Sequence, residues 1–300
     1  MKITKAVITV AGYGTRFLPI TKTIQKEMLP ILNKPLIDYV VDDCIKAGIQ
    51  EIIFIVKAGD EQLRHFYSED RGLYHYLKKM HKLDKYQLVE NLHSKARFTF
   101  IEQPAEAVYG TATPVKLTRE YVENSEAFLV FMGDDFIFNT DGSSEAAKMI
   151  ELFQKSNVLG LATFYPRPIE LLNKYGIAEF FEKDGQKFLK RIVEKPEPSK
   201  APSNLANISK YIFTPEIFDI LESQQVSGEH GELLITDTVS ELTKKGDVVI
   251  YSTSGEYLDG GFILGWLEAN LTLAMHDPEL KSSLEDLLKK KFGKMVTAAL

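Results

Sequence analysis

The sequence predicts an α/β protein. We expect a doubly wound, mostly parallel sheet of Rossmann-like type, with an added small mixed β-sheet and C-terminal helices. Three observations predict it. The chain begins strand, helix, strand; a later apolar run, "AFLVFM", ends in acids as the first ends in glycines; and the second half turns to short strands joined by tight turns.

Each element follows in order. Ile3 to Val10 is apolar and β-branched, stops at Ala11-Gly12, and reads as a buried strand. A helix is expected from about Pro35 to Ala47, with proline in its first turn and Gly48 as its stop. "QEIIFIV" (Gln50 to Val56) is a second buried strand, completing a βαβ unit and implying parallel pairing. Asp60 to Asn91 is charged and mostly helical in pattern. "ARFTFIE" is a strand, about Thr111 to Val122 a helix, and "AFLVFM" a strand that ends in "GDD". "VLGLATFY", "YGIAEFFE", "KFLKRIVEK" and "NISKYIFT" then read as strands, with Asp184-Gly185 as one turn, and suggest the mixed sheet. Glu232 to Lys245 reads as a helix and "DVVIYST" as a strand. Two helices follow, about Gly261 to Met275 and Pro278 to Lys291. Leu280, Leu284, Leu287 and Leu288 give the last one an apolar stripe suited to its own chain or to another subunit.

Composition removes several classes of function. The 300 residues hold 36 Lys and Arg against 42 Asp and Glu, a net charge of −6. A nucleic-acid binder needs basic excess to displace counterions, so none is expected as partner. No run approaches the roughly 18 apolar residues of a membrane span. The apolar stretch near the start is too short for a signal peptide and no small-residue cleavage site follows it. Cys44 is the only cysteine, which excludes an intramolecular disulfide and fits a reducing, cytoplasmic setting. With Ile37, Val40, Val41 and Ile45 it follows helical spacing, so it belongs to a buried stripe.

The chemistry concentrates around "VAGYGTR". A buried strand ending in Gly12 and Gly14 lets backbone N–H groups approach a ligand, and such concave arrays favour anions. A dinucleotide fingerprint would need a third small residue where Phe17 stands and an acid where Lys57 stands. A P-loop would need Gly-Lys-Ser/Thr, which is missing. Pro19 and Pro30 also prevent a long helix directly after the glycines. Residues 12–30 are therefore expected as an extended loop at the carboxyl end of the first strand, where open α/β sheets bind ligands. The loop carries Arg16, Lys22 and Lys26, cations suited to a polyphosphate. A polyphosphate brings a divalent metal, and the metal needs hard oxygen ligands. Asp134 and Asp135 in "GDD" and Asp259 in "YLDGG" are the candidates; no histidine spacing suggests zinc. Lys195, in "VEKP", is given a defined direction by the proline after it.

Together these pieces resemble the sugar-1-phosphate nucleotidyltransferase family, most closely its UTP:glucose-1-phosphate uridylyltransferase branch, from about Lys5 to Met275. The motifs are "AGYGTRFLPITKTIQKEMLPILNKPLIDYVV", "VEKP", "PSNLANISKYIF", "GELLITDTV" and "YLDGG", in that order. The helical stretch from Glu61 to Asn91 also resembles an insertion of that branch. The resemblance implies one nucleotidyltransferase domain over 1–300. Its nucleotide-binding half would span about 1–140, its sugar-phosphate-binding half about 141–260, and its C-terminal helices about 261–300. The implied substrates are a nucleoside triphosphate and a sugar-1-phosphate, the cofactor Mg²⁺, and the assembly a homodimer or homotetramer.

The resemblance also implies roles. Ala11, Gly12, Gly14 and Thr15 would lie against the nucleotide, Arg16 would face the leaving phosphates, and Lys26, followed by Glu27, would stand near the α-phosphate. Gln103 would read the base, with Gly110 close to it. Asp134 and Asp259 would bind the metal. Gly176, Glu194 and Lys195 would hold the sugar phosphate. Three positions depart from the branch: Gln25 in place of a frequent proline, "VYGTATPV" in place of Gly-Leu-Gly-His-Ala-Val, and Ile263 in place of a frequent lysine. The second bears on UTP against dTTP, the third on glucose against other sugars. A thymidylyltransferase and a non-catalytic sugar-nucleotide sensor are the alternative readings.

Overall fold

The computed structural model describes residues 2–227 and 231–293. The chain forms two compact units, each drawn from three stretches of sequence. The first comprises Met1–Gly12, Val40–Gly133 and Ser144–Ser254; the second comprises Tyr13–Tyr39, Asp134–Ser143 and Gly255–Leu300.

The first unit is built on a nine-stranded sheet among its described residues. Strand β1 (Lys5–Val10) lies between β2 (Glu51–Lys57) and β4 (Phe128–Met132), parallel to both, and β3 (Arg97–Gln103) adds in parallel beyond β2. Val7 and Ile8, neighbours whose side chains point to opposite faces, are both fully buried. Both faces of the strand are therefore covered, which is why it reads as a continuous apolar run rather than an alternating one. Helix α1 (Leu36–Lys46) stops where predicted: Gly48 adopts φ 88°, a left-handed conformation natural to glycine. Cys44 is completely buried and burial pushes its thiol well up, so it serves packing rather than nucleophilic attack.

The strands of the second half continue this same sheet. They are β6 (Gly160–Pro166), β7 (Gly176–Lys183), β8 (Gln186–Glu194), β9 (Leu205–Phe213) and β10 (Val248–Ser252). The full order is β3-β2-β1-β4-β9-β6-β10-β8-β7. The antiparallel pairing of β9 with β4 makes the join, so the mixed part is an extension of the parallel part. Asp184 and Gly185 take φ 52° and 75°, the two-residue turn that joins twisted strands, here β7 to β8. Helices α7 (Ile217–Ser223) and α8 (Ile235–Leu242) belong to this half.

Of two further stretches, one bears out the sequence reading and one differs. Asp60 to Asn91 is mostly helical, as expected: it holds α2 (Gln62–Phe66), α3 (Arg71–Lys79) and one 3₁₀ turn, Leu83–Leu88. The helix expected over 111–122 is two short ones, α4 (Thr113–Lys116) and α5 (Arg119–Val122). The Thr118 hydroxyl donates to the Val115 carbonyl at 2.7 Å, a local bond that competes with helix continuation.

In the second unit, β5 (Asp135–Phe138) pairs antiparallel with β11 (Glu256–Asp259), and α9 (Ile263–His276) and α10 (Lys281–Phe292) follow. The loop of residues 13–35 is tied to α9 by two bonds. Trp266 Nε1 donates to the Pro30 carbonyl at 2.9 Å, and Asn270 Oδ1 accepts from the Leu32 amide at 2.9 Å. Tyr39 stacks on Phe136 with centroids 4.8 Å apart. No helix among the described residues is long and apolar enough to cross a membrane.

Candidate active site

The second unit holds seven of the charged residues singled out in the sequence: Arg16, Lys22, Lys26, Glu27, Asp134, Asp135 and Asp259. The chain enters it at the glycine turn. Gly14 sits at φ 62°, and its carbonyl accepts from the Phe17 amide at 2.9 Å and from the Thr21 hydroxyl at 2.8 Å. A Cβ at position 14 would lie 3.0 Å from the Thr21 methyl and 3.3 Å from Lys26 Cβ. Glycine is thus required twice, by backbone conformation and by space. Thr15 and Arg16 form an exposed 3₁₀ turn with Phe17, and Lys22 is exposed beyond it.

A second 3₁₀ turn, Lys26–Met28, carries the lysine inward. Lys26 Nζ lies 2.5 Å from Asp134 Oδ2 and 3.5 Å from Glu27 Oε1. Burial by itself opposes the ammonium charge, but Asp134 and Glu27 outweigh it and hold the Lys26 pKa above its ordinary value. The Glu27 side chain is 1% exposed, and its Oε2 has no hydrogen-bond partner. Burial pushes this carboxyl up to about 7; Lys26 pulls it down and Asp134 pushes it further up.

Asp134 and Asp135, which the sequence could not separate by spacing, have different surroundings. Asp135 is buried in β5 and accepts from the Tyr257 hydroxyl at 3.2 Å. Asp134 is partly exposed and faces Lys26. Asp259 ends β11 and accepts from the Gly261 amide at 2.9 Å. A Cβ on Gly261 would lie 2.6 Å from Asp134 Oδ2 and 3.0 Å from Asp259 Oδ1, so the two carboxylates converge where only a glycine leaves room. Burial first and Asp134 second raise the Asp259 pKa, while the Gly261 amide, Arg16 and Lys26 act against them.

Two facing hard carboxylates, one of which raises the other's proton affinity, suit a divalent cation. Among the described residues no group of three or more His, Cys, Asp or Glu is placed to hold a metal unaided. A cation at this pair therefore needs further oxygens from a ligand or water, as Mg²⁺ commonly has.

The remaining residues lie in the first unit. Ala11 and Gly12 follow β1, half-buried, and Gln103 closes β3 opposite Lys57. Gly110, at φ 139°, presses so closely on the Leu233 backbone that a Cβ would collide with it. A third group forms where β7 begins and β8 ends. A Cβ on Gly176 would lie 2.6 Å from Ile192 Cγ2 and 3.1 Å from Glu194 Oε2. Lys195 Nζ is 3.9 Å from Glu194 Oε1, and the Lys195 amide donates to the Tyr175 carbonyl at 3.0 Å. Lys195 has φ 44°, a strained conformation for a non-glycine residue and one that gives it a fixed direction before Pro196. Burial raises the Glu194 pKa, and Lys195 and Thr236 work against the rise.

Sequence reasoning missed Gly261 and Thr21. The doubled glycine of "YLDGG" signalled the first; nothing local signalled the second, whose hydroxyl matters only once the loop has folded back.

Comparison with known proteins bears on this geometry. The family described as Nucleotidyl transferase matches residues 5–275. A Bacillus subtilis (strain 168) protein named UTP--glucose-1-phosphate uridylyltransferase is 35% identical over 298 residues, 97% of this chain and 99% of its own. A Staphylococcus epidermidis protein of the same name is 33% identical over 293 residues, covering 96% and 98%. A crystal structure of a UDP-glucose pyrophosphorylase complexed with UDP-glucose superimposes with a TM-score of 0.79 at 31% identity, covering 92% of this chain and all of that one.

Proposed function

The chain belongs to the nucleotidyl transferase family, and from that premise we propose that it transfers a uridylyl group from UTP to glucose-1-phosphate, giving UDP-glucose and pyrophosphate. The observation that carries this reading is the convergence of Asp134 and Asp259 on the bare backbone of Gly261, with Lys26 held by Asp134, Glu27 beside Lys26, and Arg16 acting on Asp259.

The sugar phosphate is the nucleophile. One of its phosphate oxygens forms a bond to the α-phosphorus; the bond from that phosphorus to the α–β bridging oxygen breaks; pyrophosphate leaves with the electron pair. A phosphate monoester is already anionic near neutral pH, so no general base is needed. Catalysis is then positioning and charge neutralisation. Lys26, held by Asp134, stabilises the α-phosphoryl oxygens, and the exposed Arg16 receives the departing pyrophosphate. Asp134 and Asp259 would hold Mg²⁺, which when bound supplies positive charge to the phosphate oxygens. Ala11, Gly12, Gly14 and Thr15 offer backbone to the nucleotide, and Gln103 with Gly110 the base contacts. Gly176, Glu194 and Lys195 take the sugar phosphate, Glu194 by hydroxyls and Lys195 by charge. This assigns nucleotide binding mainly to about 1–140 and sugar-phosphate binding mainly to about 141–260. We assign the enzyme to the cytoplasm as a homodimer or homotetramer.

One observation favours a second base. "VYGTATPV" stands where the uridylyltransferase branch commonly has another sequence, which leaves dTTP as the competing nucleotide. Pyrophosphate release across UTP, dTTP, ATP and GTP, with several hexose-1-phosphates, tests both. The expected result is Mg²⁺-dependent release with UTP and glucose-1-phosphate above every other pair. Preference for dTTP replaces the first reading by the second; ligand-induced melting shifts without any release make the protein a sensor.

A further inference from the structure

We propose that residues 233–236 act as a relay in the first unit, with Thr111 and Thr236 as positioning residues that link the loop after β3 to the Glu194 carboxylate. This rests on the function proposed above and adds a source of cooperation between the two substrates.

The loop grips one end of the segment. The Leu233 amide donates to the Tyr109 carbonyl at 2.9 Å, and the Ala112 amide donates to the Leu233 carbonyl at 2.9 Å. Between these bonds Gly110 lies against the Leu233 backbone with no room for a side chain. Neither backbone can shift alone. The next bond is made by a side chain: Thr111 Oγ1 accepts from the Ile235 amide at 3.0 Å. Ile235 opens α8, whose N-cap position is Leu234, a residue that supplies no capping oxygen. Thr111 therefore satisfies an amide that the helix leaves open, from 124 positions away.

The other end of the segment reaches the sugar-side acid. Thr236 Oγ1 donates to Glu194 Oε2 at 3.4 Å, and its methyl would be 3.4 Å from a Cβ on Gly176. The hydroxyl thus engages one carboxylate oxygen and leaves Oε1, 3.9 Å from Lys195 Nζ, to meet a sugar hydroxyl. Adjacent residues, Ile235 and Thr236, carry the two bonds. A nucleotide base that settles the 109–112 loop then settles Glu194 as well, and the sugar phosphate binds an acid already aimed. By thermodynamic reciprocity each substrate raises affinity for the other equally.

Steady-state kinetics and calorimetry test this on the full chain. Thr236→Val is expected to raise the KM for glucose-1-phosphate about tenfold, the order of one hydrogen bond to a charged group, with kcat within about twofold. Thr236→Ser restores the wild-type KM. In wild type, a UTP analogue with a methylene between its α- and β-phosphates tightens glucose-1-phosphate binding by about fivefold or more, the lower range of measured couplings. Thr111→Val abolishes that ratio and Thr111→Ser keeps it. A structural role alone would lower the melting temperature and leave both readouts unmoved. An active Thr236→Val with unchanged KM overturns the relay, and so does a wild-type ratio of one or an unchanged ratio in Thr111→Val. Wild-type protein that releases no pyrophosphate with any substrate pair overturns the underlying reading, and the relay falls with it.

Discussion

Glu145 in the first unit and Glu27 in the second are both buried acids, each 1% exposed, and they are treated in opposite ways. Glu145 opens helix α6 (Glu145–Lys155). Its Oε2 accepts from the Tyr251 and Thr253 hydroxyls, each at 2.7 Å, and its Oε1 lies 2.7 Å from Lys148 Nζ. It also stands in the first turn, where the helix dipole favours negative charge. Glu27 keeps an oxygen without a hydrogen bond and sits beside Lys26 and Asp134, and Asp134 in turn opposes the charge of Asp259. A charge that a protein fully satisfies is part of its architecture. Charges left in mutual conflict are held ready for something the protein lacks until a ligand arrives.

The largest effect is expected in the conflicted cluster. Lys26→Ala and Asp134→Ala should each lower kcat by about 10²–10³, the typical result of deleting one preorganised electrostatic contact. Pyrophosphate release measures this, and circular dichroism checks that the fold survives. Retention of most turnover in both would erase the distinction drawn above. Next, Glu145→Ala should show the reverse pattern: a loss of about 2–4 kcal/mol in denaturant unfolding, from stranding two hydroxyls, with kcat per folded molecule unchanged.

A smaller effect follows pH. The Glu27 carboxyl rises from 4.5 to about 7 in the fold, so the folded protein holds a proton that the unfolded chain releases. The stability this contributes is fully present below about pH 4.5 and is lost as pH rises to about 7. Glu27→Gln cannot lose that proton and should flatten this part of the curve of melting temperature against pH, measured without divalent metal. Two superimposable curves would mean that Glu27 is satisfied after all.

Much of this was legible in the sequence. The order of strands and helices followed from apolar runs and from glycine and proline at their ends, because a strand covered on both faces has little choice of composition. The break at Thr118 was not legible, since no proline or glycine marks it and its cause is one hydroxyl turning back on the chain. Nor was the joining of the second-half strands to the first sheet, because β4 and β9 are far apart in sequence and neither carries a mark of its partner. In the site, the residue types announced themselves: two cations after a glycine turn, and two acids beside glycines. What the sequence could not convey is burial. It did not show that Glu27 points inward, or that Gly261 is the spot on which Asp134 and Asp259 close.

The most direct test of the comparison is Asp259→Asn, read by melting temperature and by pyrophosphate release on the same preparation. Neutralising an acid that burial and Asp134 oppose should leave the metal-free protein at or above the wild-type melting temperature while turnover falls about 10²-fold or more. A variant that melts lower than wild type and keeps its turnover would contradict the account.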